Sequence, residues 1–271
     1  MSLGVDTDDA LNTINWSDWY SWKPQYPTWA GRYFGNLLSW KYPEFTDAKS
    51  STGGVLRIIA PLTAPNAANQ QTGGTNGNDL GASDGQATCS SIEAAITQGQ
   101  LTIPASGVVY VYLDVEPGIN ITPAYWAGWA NEVNSYVSGG NAPFVPAVYT
   151  TMTESGGLYY RAGNVTYALG KAASDYPSQF VTCAGYWASE PEPCAACQPG
   201  YDASSAFSQC GTYVQPVGGG NTADVSVLLW QYAEQHGCTV TCGVTGFAGG
   251  QTLDIDGSDS TGADNYMLVI G

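Results

Sequence analysis

Residues 108–116 read Val-Val-Tyr-Val-Tyr-Leu-Asp-Val-Glu and carry the densest chemistry in the chain. Side chains on a strand alternate between its two faces. Val109, Val111, Leu113 and Val115 therefore share one apolar face. Tyr110, Tyr112, Asp114 and Glu116 share the other, and Pro117-Gly118 ends the run. Two carboxyls two residues apart on one strand face stand roughly 6–7 Å apart at the backbone. Mutual repulsion with partial burial raises one pKa of such a pair. A protonated acid beside an ionised one is what glycoside cleavage requires. The bland alternative is a salt-bridged structural pair, with Arg32 as the best candidate partner. Only seven Lys and Arg are present. Buried acids without cationic partners are costly, which favours a functional site.

Other acids fall at the ends of similar runs. Asp6 closes Gly4-Val5-Asp6-Thr7, and Asp254 and Asp256 close Leu253-Asp254-Ile255-Asp256-Gly257. Taken singly, each is more commonly a helix cap or turn residue. Taken together, acids at the ends of a first, a fourth and an eighth strand are predicted to meet in one pocket.

The elements that would hold them are eight short apolar, β-rich runs: Leu3–Asp6, Ala30–Phe34, Val55–Thr63, Val108–Glu116, Phe144–Thr150, Val181–Trp187, Val227–Tyr232 and Thr252–Asp256. Helices are predicted over Ser90–Gly99, over Pro123–Val137 with Thr122 as N-cap, and over Tyr159–Ala173. Strands alternating with helices predict a parallel sheet. Eight such units predict a single α/β domain over residues 1–271, a (β/α)8 TIM-type barrel with its site at the C-terminal strand ends. An open doubly wound sheet is the alternative. Its nucleotide-binding form lacks support, because no Gly-x-Gly-x-x-Gly follows an early strand. Asn66–Gln86, rich in Gly, Asn and Thr, and Glu190–Thr222, rich in Pro, Gly, Ser and Cys, read as loops. The second is long enough to be a disulfide-stapled excursion over one rim.

Charge narrows the partners. Seven Lys and Arg face 23 Asp and Glu, for a net charge of −16. This excludes nucleic acid, whose phosphates need cationic patches, and it excludes anionic membrane surfaces. No run approaches the ~20 apolar residues of a spanning helix, so membrane insertion is not expected. No basic, apolar leader opens the chain, which reads as a mature secreted or extracellular domain. Seven cysteines at 89, 183, 194, 197, 210, 238 and 242 allow up to three disulfides and one free thiol. Cys194-x2-Cys197 with Cys238-x3-Cys242 or His236 is a conceivable zinc site. Loop disulfides are the preferred reading, with Cys210 to Cys194 or Cys197 and Cys238 to Cys242 as provisional pairings. Asp254–Asp259 lacks the glycine and glutamate spacing of a calcium loop. No metal and no cofactor are expected. His236, the one histidine, sits among Gly and Cys and reads as incidental. The early cluster of Trp16, Trp19, Trp22, Trp29 and Trp40 suits either sugar stacking or plain packing.

Several motifs stand in a telling order: Gly4-Val5-Asp6, Asp114-Val115-Glu116, Pro146-Ala147-Val148-Tyr149-Thr150, Trp230-Gln231-Tyr232 and Asp254-Ile255-Asp256. In that order the chain resembles the muramidase barrels, the family 25 lysozyme-type glycoside hydrolases. Arg32-Tyr33 is more similar to the bacterial glycoside hydrolase-like domains related to them. The resemblance spans most of the chain as short motifs. It implies a barrel acting on bacterial cell-wall glycan, peptidoglycan or a related polysaccharide. Glu116 would match the general acid, and Asp114, Asp6 and Asp254 the surrounding carboxylates. Arg32, Tyr33, Tyr149, Trp187, Trp230 and Gln231 would line the sugar cleft. Cleavage in the family proceeds with retention, by a covalent or a substrate-assisted route. Asp256 stands where the family has Asn, Asp8-Asp9 and a Trp-rich stretch replace the usual Gln-Gly segment, and the Cys-rich insertion is additional. A barrel that binds glycan without cleaving it, and a surface-interaction protein with a vestigial pocket, are the competing functions. The oligomeric state is not encoded in any of these features.

Overall fold

The computed structural model describes residues 2–36, 40–64, 66–116, 119–136, 144–151, 160–189, 194, 196–201, 212–218, 221–233, 238, 253–258 and 262–271. Eight strands close into a ring: β1 (Ser2–Thr7), β2 (Trp29–Phe34), β3 (Ile58–Thr63), β5 (Val109–Val115), β6 (Phe144–Thr151), β7 (Tyr186–Ser189), β9 (Asn221–Ala233) and β10 (Asp254–Ser258). The short β4 (Leu101–Thr102) and β11 (Leu268–Ile270) pair with each other, and β11 also pairs with the first residues of β3. β8 (Thr212–Gly218) pairs with β9 as an antiparallel hairpin. The domain is thus an irregular α/β barrel, as the alternating runs predict.

Two departures from eight repeated units shape the site. First, β10 runs antiparallel to both its neighbours, β1 and β9, whereas the other ring pairings are parallel. Secondly, the helices among the described residues follow the first five ring strands. They are α1 (Trp16–Trp22), α2 (Glu44–Ser51), α3 (Ala67–Gln70) with α4 (Gly74–Thr97), α5 (Pro123–Ser135) and α6 (Tyr160–Asp175). β7 is followed instead by the cysteine-rich excursion and the β8–β9 hairpin.

Strand alternation sorts the side chains into two layers. Val109, Val111, Leu113 and Val115 pack with the helices in the outer core, while Tyr112 joins Trp29, Ile58, Ala60, Leu62, Ala147, Tyr149, Trp187 and Leu229 inside the ring. Trp187 lies at the centre, edge-on to Trp29, Tyr112 and Tyr149 with ring centroids 5.5, 5.6 and 5.3 Å away. Gly31 makes room for it, since a Cβ there would stand 2.3 Å from the Trp187 ring.

Helix α4 corrects the sequence reading. Asn66–Gln86 was expected to be a loop, yet α3 and the first half of α4 occupy it. Glycine is a poor helix former, but here it lets two backbones touch. A Cβ on Gly81 would meet Tyr125 O at 2.2 Å, and one on Gly128 would meet Asn78 O at 2.0 Å. Helix α5 matches its sequence signal: Thr122 caps it by accepting the Tyr125 N–H at 3.2 Å, with Pro123 following.

Cys197 and Cys238 form a disulfide across 41 residues of sequence, tying the excursion to the connection after β9. Cys238 therefore does not pair with Cys242, and the zinc reading of Cys194 and Cys197 falls, because Cys194 is disulfide-bonded as well. Cys210, Cys242 and His236 lie outside the described residues. Among the described residues, Cys89 and Cys183 are buried and take no part in a disulfide, so more than one thiol stays outside the bridges.

Gly81→Ala and Gly128→Ala should each destabilise the fold by about 1–3 kcal/mol through overpacking. This is opposite in sign to the propensity gain of about 1 kcal/mol. Gly73→Ala, whose Cβ would meet nothing within 4 Å, should change stability by less than about 1 kcal/mol. Urea unfolding of the three variants tests this. Equal or greater stability in Gly81→Ala would remove the close-contact explanation.

Candidate active site

The antiparallel course of β10 decides which acids meet. Its first residue, Asp254, pairs in register with Asp6, near the end of β1. Asp254 therefore opens the eighth strand rather than closing it, and it reaches the same rim as the C-terminal ends of the parallel strands. Asp256, two residues on and facing the same way, stands deeper and opposite Gly4. Asp114 and Glu116 arrive from β5 across the ring. Asp6, Asp114 and Asp256 are buried, whereas Asp254 and Glu116 are half-buried at the mouth.

The acids sense one another. Burial, and then the charge of Asp256, raises Asp6 well above the ordinary carboxylate range; Glu116 adds to this. Burial, and then Glu116 and Asp6, raises Asp114 likewise. Burial first, with Asp254 adding to it, raises Asp256. Their charges act on one another across β1, β5 and β10, so the acids share one pocket, as their strand-end placement predicts. The carboxyls of Asp6 and Asp256 lie close enough to influence each other directly, and two carboxyl groups can bond only if one holds a proton. One carboxylate oxygen of Asp256 (Oδ2) and one of Asp114 (Oδ1) are buried with no donor facing them among the described residues. A retained proton gives such an atom a bonding role that a carboxylate lacks.

Side chains from four strands fix the acids in place. The Tyr33 hydroxyl donates to Asp114 Oδ2 at 2.7 Å. Trp187 Nε1 donates to Asp256 Oδ1 at 2.9 Å. Gln231 is the hub. Its Nε2 donates to Asp6 Oδ2 at 3.1 Å and to Asp254 Oδ2 at 2.9 Å. Its Oε1 accepts from the Tyr149 hydroxyl at 2.9 Å and the Ser189 hydroxyl at 2.5 Å. Both amide donors and both acceptor lone pairs are thereby used, which fixes the amide orientation. Burial, with the nearby acids adding to it, raises the Tyr33 and Tyr149 phenols, so both remain hydroxyl donors.

The expected cleft residues divide. Tyr33 and Tyr149 face the pocket and are buried, as Asp6 is. Gln231 and Trp187 face the pocket but are buried beneath it, supporting the acids rather than presenting a face to a sugar. Trp230 points the other way, into the outer core beside Tyr232, because its neighbour Gln231 takes the inward face. Arg32 also points outward. Its Nε meets Glu44 Oε1 at 2.7 Å, with both side chains buried, so it is not the partner of Asp114 or Glu116. Glu44 also accepts the Leu11 and Lys41 N–H groups, locking α2 against β2. Trp16, Trp19, Trp29 and Trp40 are buried packing residues.

Two contributors escaped the sequence reading. Ser189 follows Trp187 by two, so strand alternation continued past Trp187 would have placed it in the pocket. Gln70, on α3, donates from Nε2 to the Asp114 carbonyl at 2.8 Å. It lies in the stretch read as a loop, where neither residue type nor spacing distinguishes it.

No family model and no curated protein matches this chain. Among solved structures, an uncharacterized B. stearothermophilus protein, determined by crystallography at 1.07 Å, is similar over 98% of this chain and 100% of its own, with a TM-score of 0.55 and 16% identity. Likeness at that identity shows a shared fold and no more.

Raised carboxyls set the sign of the pH dependence. Asp6, Asp114 and Asp256 have folded pKa values above their unfolded ones. Their stabilising contribution is full below the unfolded value of ~3.9 and is lost as pH rises through the raised folded values. The Tm should therefore fall as pH rises from acid towards neutral. Asp256→Asn, which can accept from Trp187 and donate to Asp6, should flatten that fall and raise the Tm near pH 7. Melting curves parallel to wild type across the range would show that Asp256 does not carry the effect. Glu44→Ala should cost about 3–5 kcal/mol by leaving the Arg32 charge buried and uncompensated, read by chemical unfolding.

Proposed function

We propose that the protein is a retaining glycoside hydrolase acting on peptidoglycan or a related polysaccharide. The observation that carries this reading is the convergence of Asp6, Asp114, Glu116, Asp254 and Asp256 at the mouth of the barrel, with burial and mutual charge holding protons on part of the set. Glycosidic cleavage needs one carboxyl that can give a proton and another that can bear negative charge beside the sugar. Glu116 is half-buried at the rim and serves as the proton donor. Asp114 lies one strand repeat deeper, and burial and the charge of Glu116 raise its carboxyl. The pair shares one proton, and a substrate at the rim takes it from Glu116 while the negative charge stays on the pair. Proton transfer from Glu116 to the glycosidic oxygen accompanies breakage of the C1–O bond, whose electron pair leaves with that oxygen. A carboxylate of the cluster, or the sugar's own acetamido oxygen, bonds C1 in its place. Water, deprotonated by Glu116, then displaces that bond and leaves the anomeric configuration as it began. Asp254, held by Gln231, supplies negative charge opposite the developing oxocarbenium. Tyr33 and Tyr149 border the sugar subsite.

The disulfide fits an oxidising, extracellular setting. No helix among the described residues is long and apolar enough to cross a membrane.

The test is release of reducing ends from purified peptidoglycan and a small polysaccharide panel, with Glu116→Gln in parallel. Wild type should be active and the variant slower by at least about 10²-fold, the scale of a lost general acid, with an unchanged fold by circular dichroism. Equal activity in both removes Glu116 from the mechanism. Glycan binding without turnover in wild type would favour a binding barrel instead.

A further inference from the structure

The loop after β5 carries Glu116, and its ends are held in an unusual way. On the β3 side the ladder of β5 stops at the pair Thr63–Leu113. β3 then departs towards α3, leaving the Asp114 carbonyl without a strand partner there. The Gln70 side chain takes that place, donating from Nε2 at 2.8 Å. The same residue uses its own backbone carbonyl to accept the Thr122 N–H at 2.8 Å. Thr122 is the N-cap of α5, and its hydroxyl donates to the Thr72 carbonyl at 2.6 Å, two residues beyond Gln70. One residue thus bonds both the strand end before Glu116 and the helix start after it. Gln70 is fully buried, and its Oε1 has no donor among the described residues. An apolar residue here would remove that orphaned oxygen but leave the Asp114 carbonyl without its donor, so the two choices differ chiefly in what they do to Asp114. What the amide provides is a donor aimed at Asp114 O.

We infer that Gln70 is a positioning residue for the acid pair of β5, clasping both ends of the loop that presents Glu116. The inference rests on the glycoside hydrolase reading for its catalytic consequence, but the clasp itself is independent of that reading. Releasing the Asp114 carbonyl moves the strand end that sets the Glu116 carboxyl against its substrate, and misplacement on the order of 1 Å can cost about 10²-fold in rate. The same release admits water beside Asp114, weakening the burial that raises its carboxyl.

Two variants test this. Gln70→Met keeps length and removes the donor. It should lower kcat, per folded molecule as measured by circular dichroism, on the order of 10- to 100-fold with KM changed less than about threefold. Normalising to folded protein removes the fall in apparent kcat that destabilisation alone would give. Gln70→Glu restores the donor only when its carboxyl is protonated. Its activity relative to wild type should therefore recover as pH falls, whereas that of Gln70→Met should not, and this arm stands even if Gln70→Met fails to fold. Wild-type kcat in both variants, or a loss with no pH-dependent recovery in Gln70→Glu, overturns the inference. If wild type hydrolyses no glycan, the hydrolase reading fails and the clasp is judged by amide exchange. Residues 119–122 should then exchange at least about 10-fold faster in Gln70→Met at pH 7, with the strands of the ring unchanged. Unaltered exchange there refutes the clasp.

Discussion

Carboxyl groups inside a closed strand ring have little water to solvate them, and every other feature of this pocket answers to that. A buried carboxylate is tolerated only with donors, a counter-charge or a retained proton. The nearest well-placed cation on the ring, Arg32, is turned outward and engaged by Glu44. The pocket is therefore managed with neutral donors and shared protons: a phenol for Asp114, an indole for Asp256, and one amide divided between Asp6 and Asp254. Such an arrangement leaves the acids poised rather than neutralised. An arginine among them would have made a stable pocket with no proton to give.

The direction of β10 is what makes the set possible. In a parallel eighth strand, the acid nearest the mouth would be the last one reached, Asp256, and Asp254 would lie deep. Reversal exchanges them. It also puts Asp254 in register with Asp6, so that one Gln231 amide can span both. Gln231 can do so because β9 and β10 are antiparallel neighbours and its inward face is shared with Leu229.

Much of this was legible from residue order. The alternation in 109–115 placed Tyr112 and Asp114 inside and the valines outside, because a half-polar strand has one way to sit between a core and a pocket. Thr122-Pro123 marked the start of α5. What residue order hid has physical causes. The glycines at 77, 81 and 85 weaken a helix in isolation, and the gain that offsets them comes from α5, some forty residues away in sequence. Strand direction leaves no trace in alternation, so the reversal of β10 was invisible. Arg32 and Trp230 were misassigned because a motif says which residues are neighbours and not which face they occupy. Gln70 acts through a carbonyl whose exposure depends on where β3 leaves the ladder.

Among the described residues, side chains fill the end of the ring opposite the site. Ala263, which begins the short 3-10 turn Ala263–Tyr266, and Met267, which follows it, enter the interior cluster there, while Tyr266 lies flat on Tyr110 with centroids 4.4 Å apart. The barrel is in effect a cup. Among the described residues, Tyr33, Tyr149 and the rim carboxyls stand on the route between the deepest acids and bulk solvent. A molecule seated in the mouth would therefore cork that route, and the protonation present when it arrived would be the protonation with which it reacted.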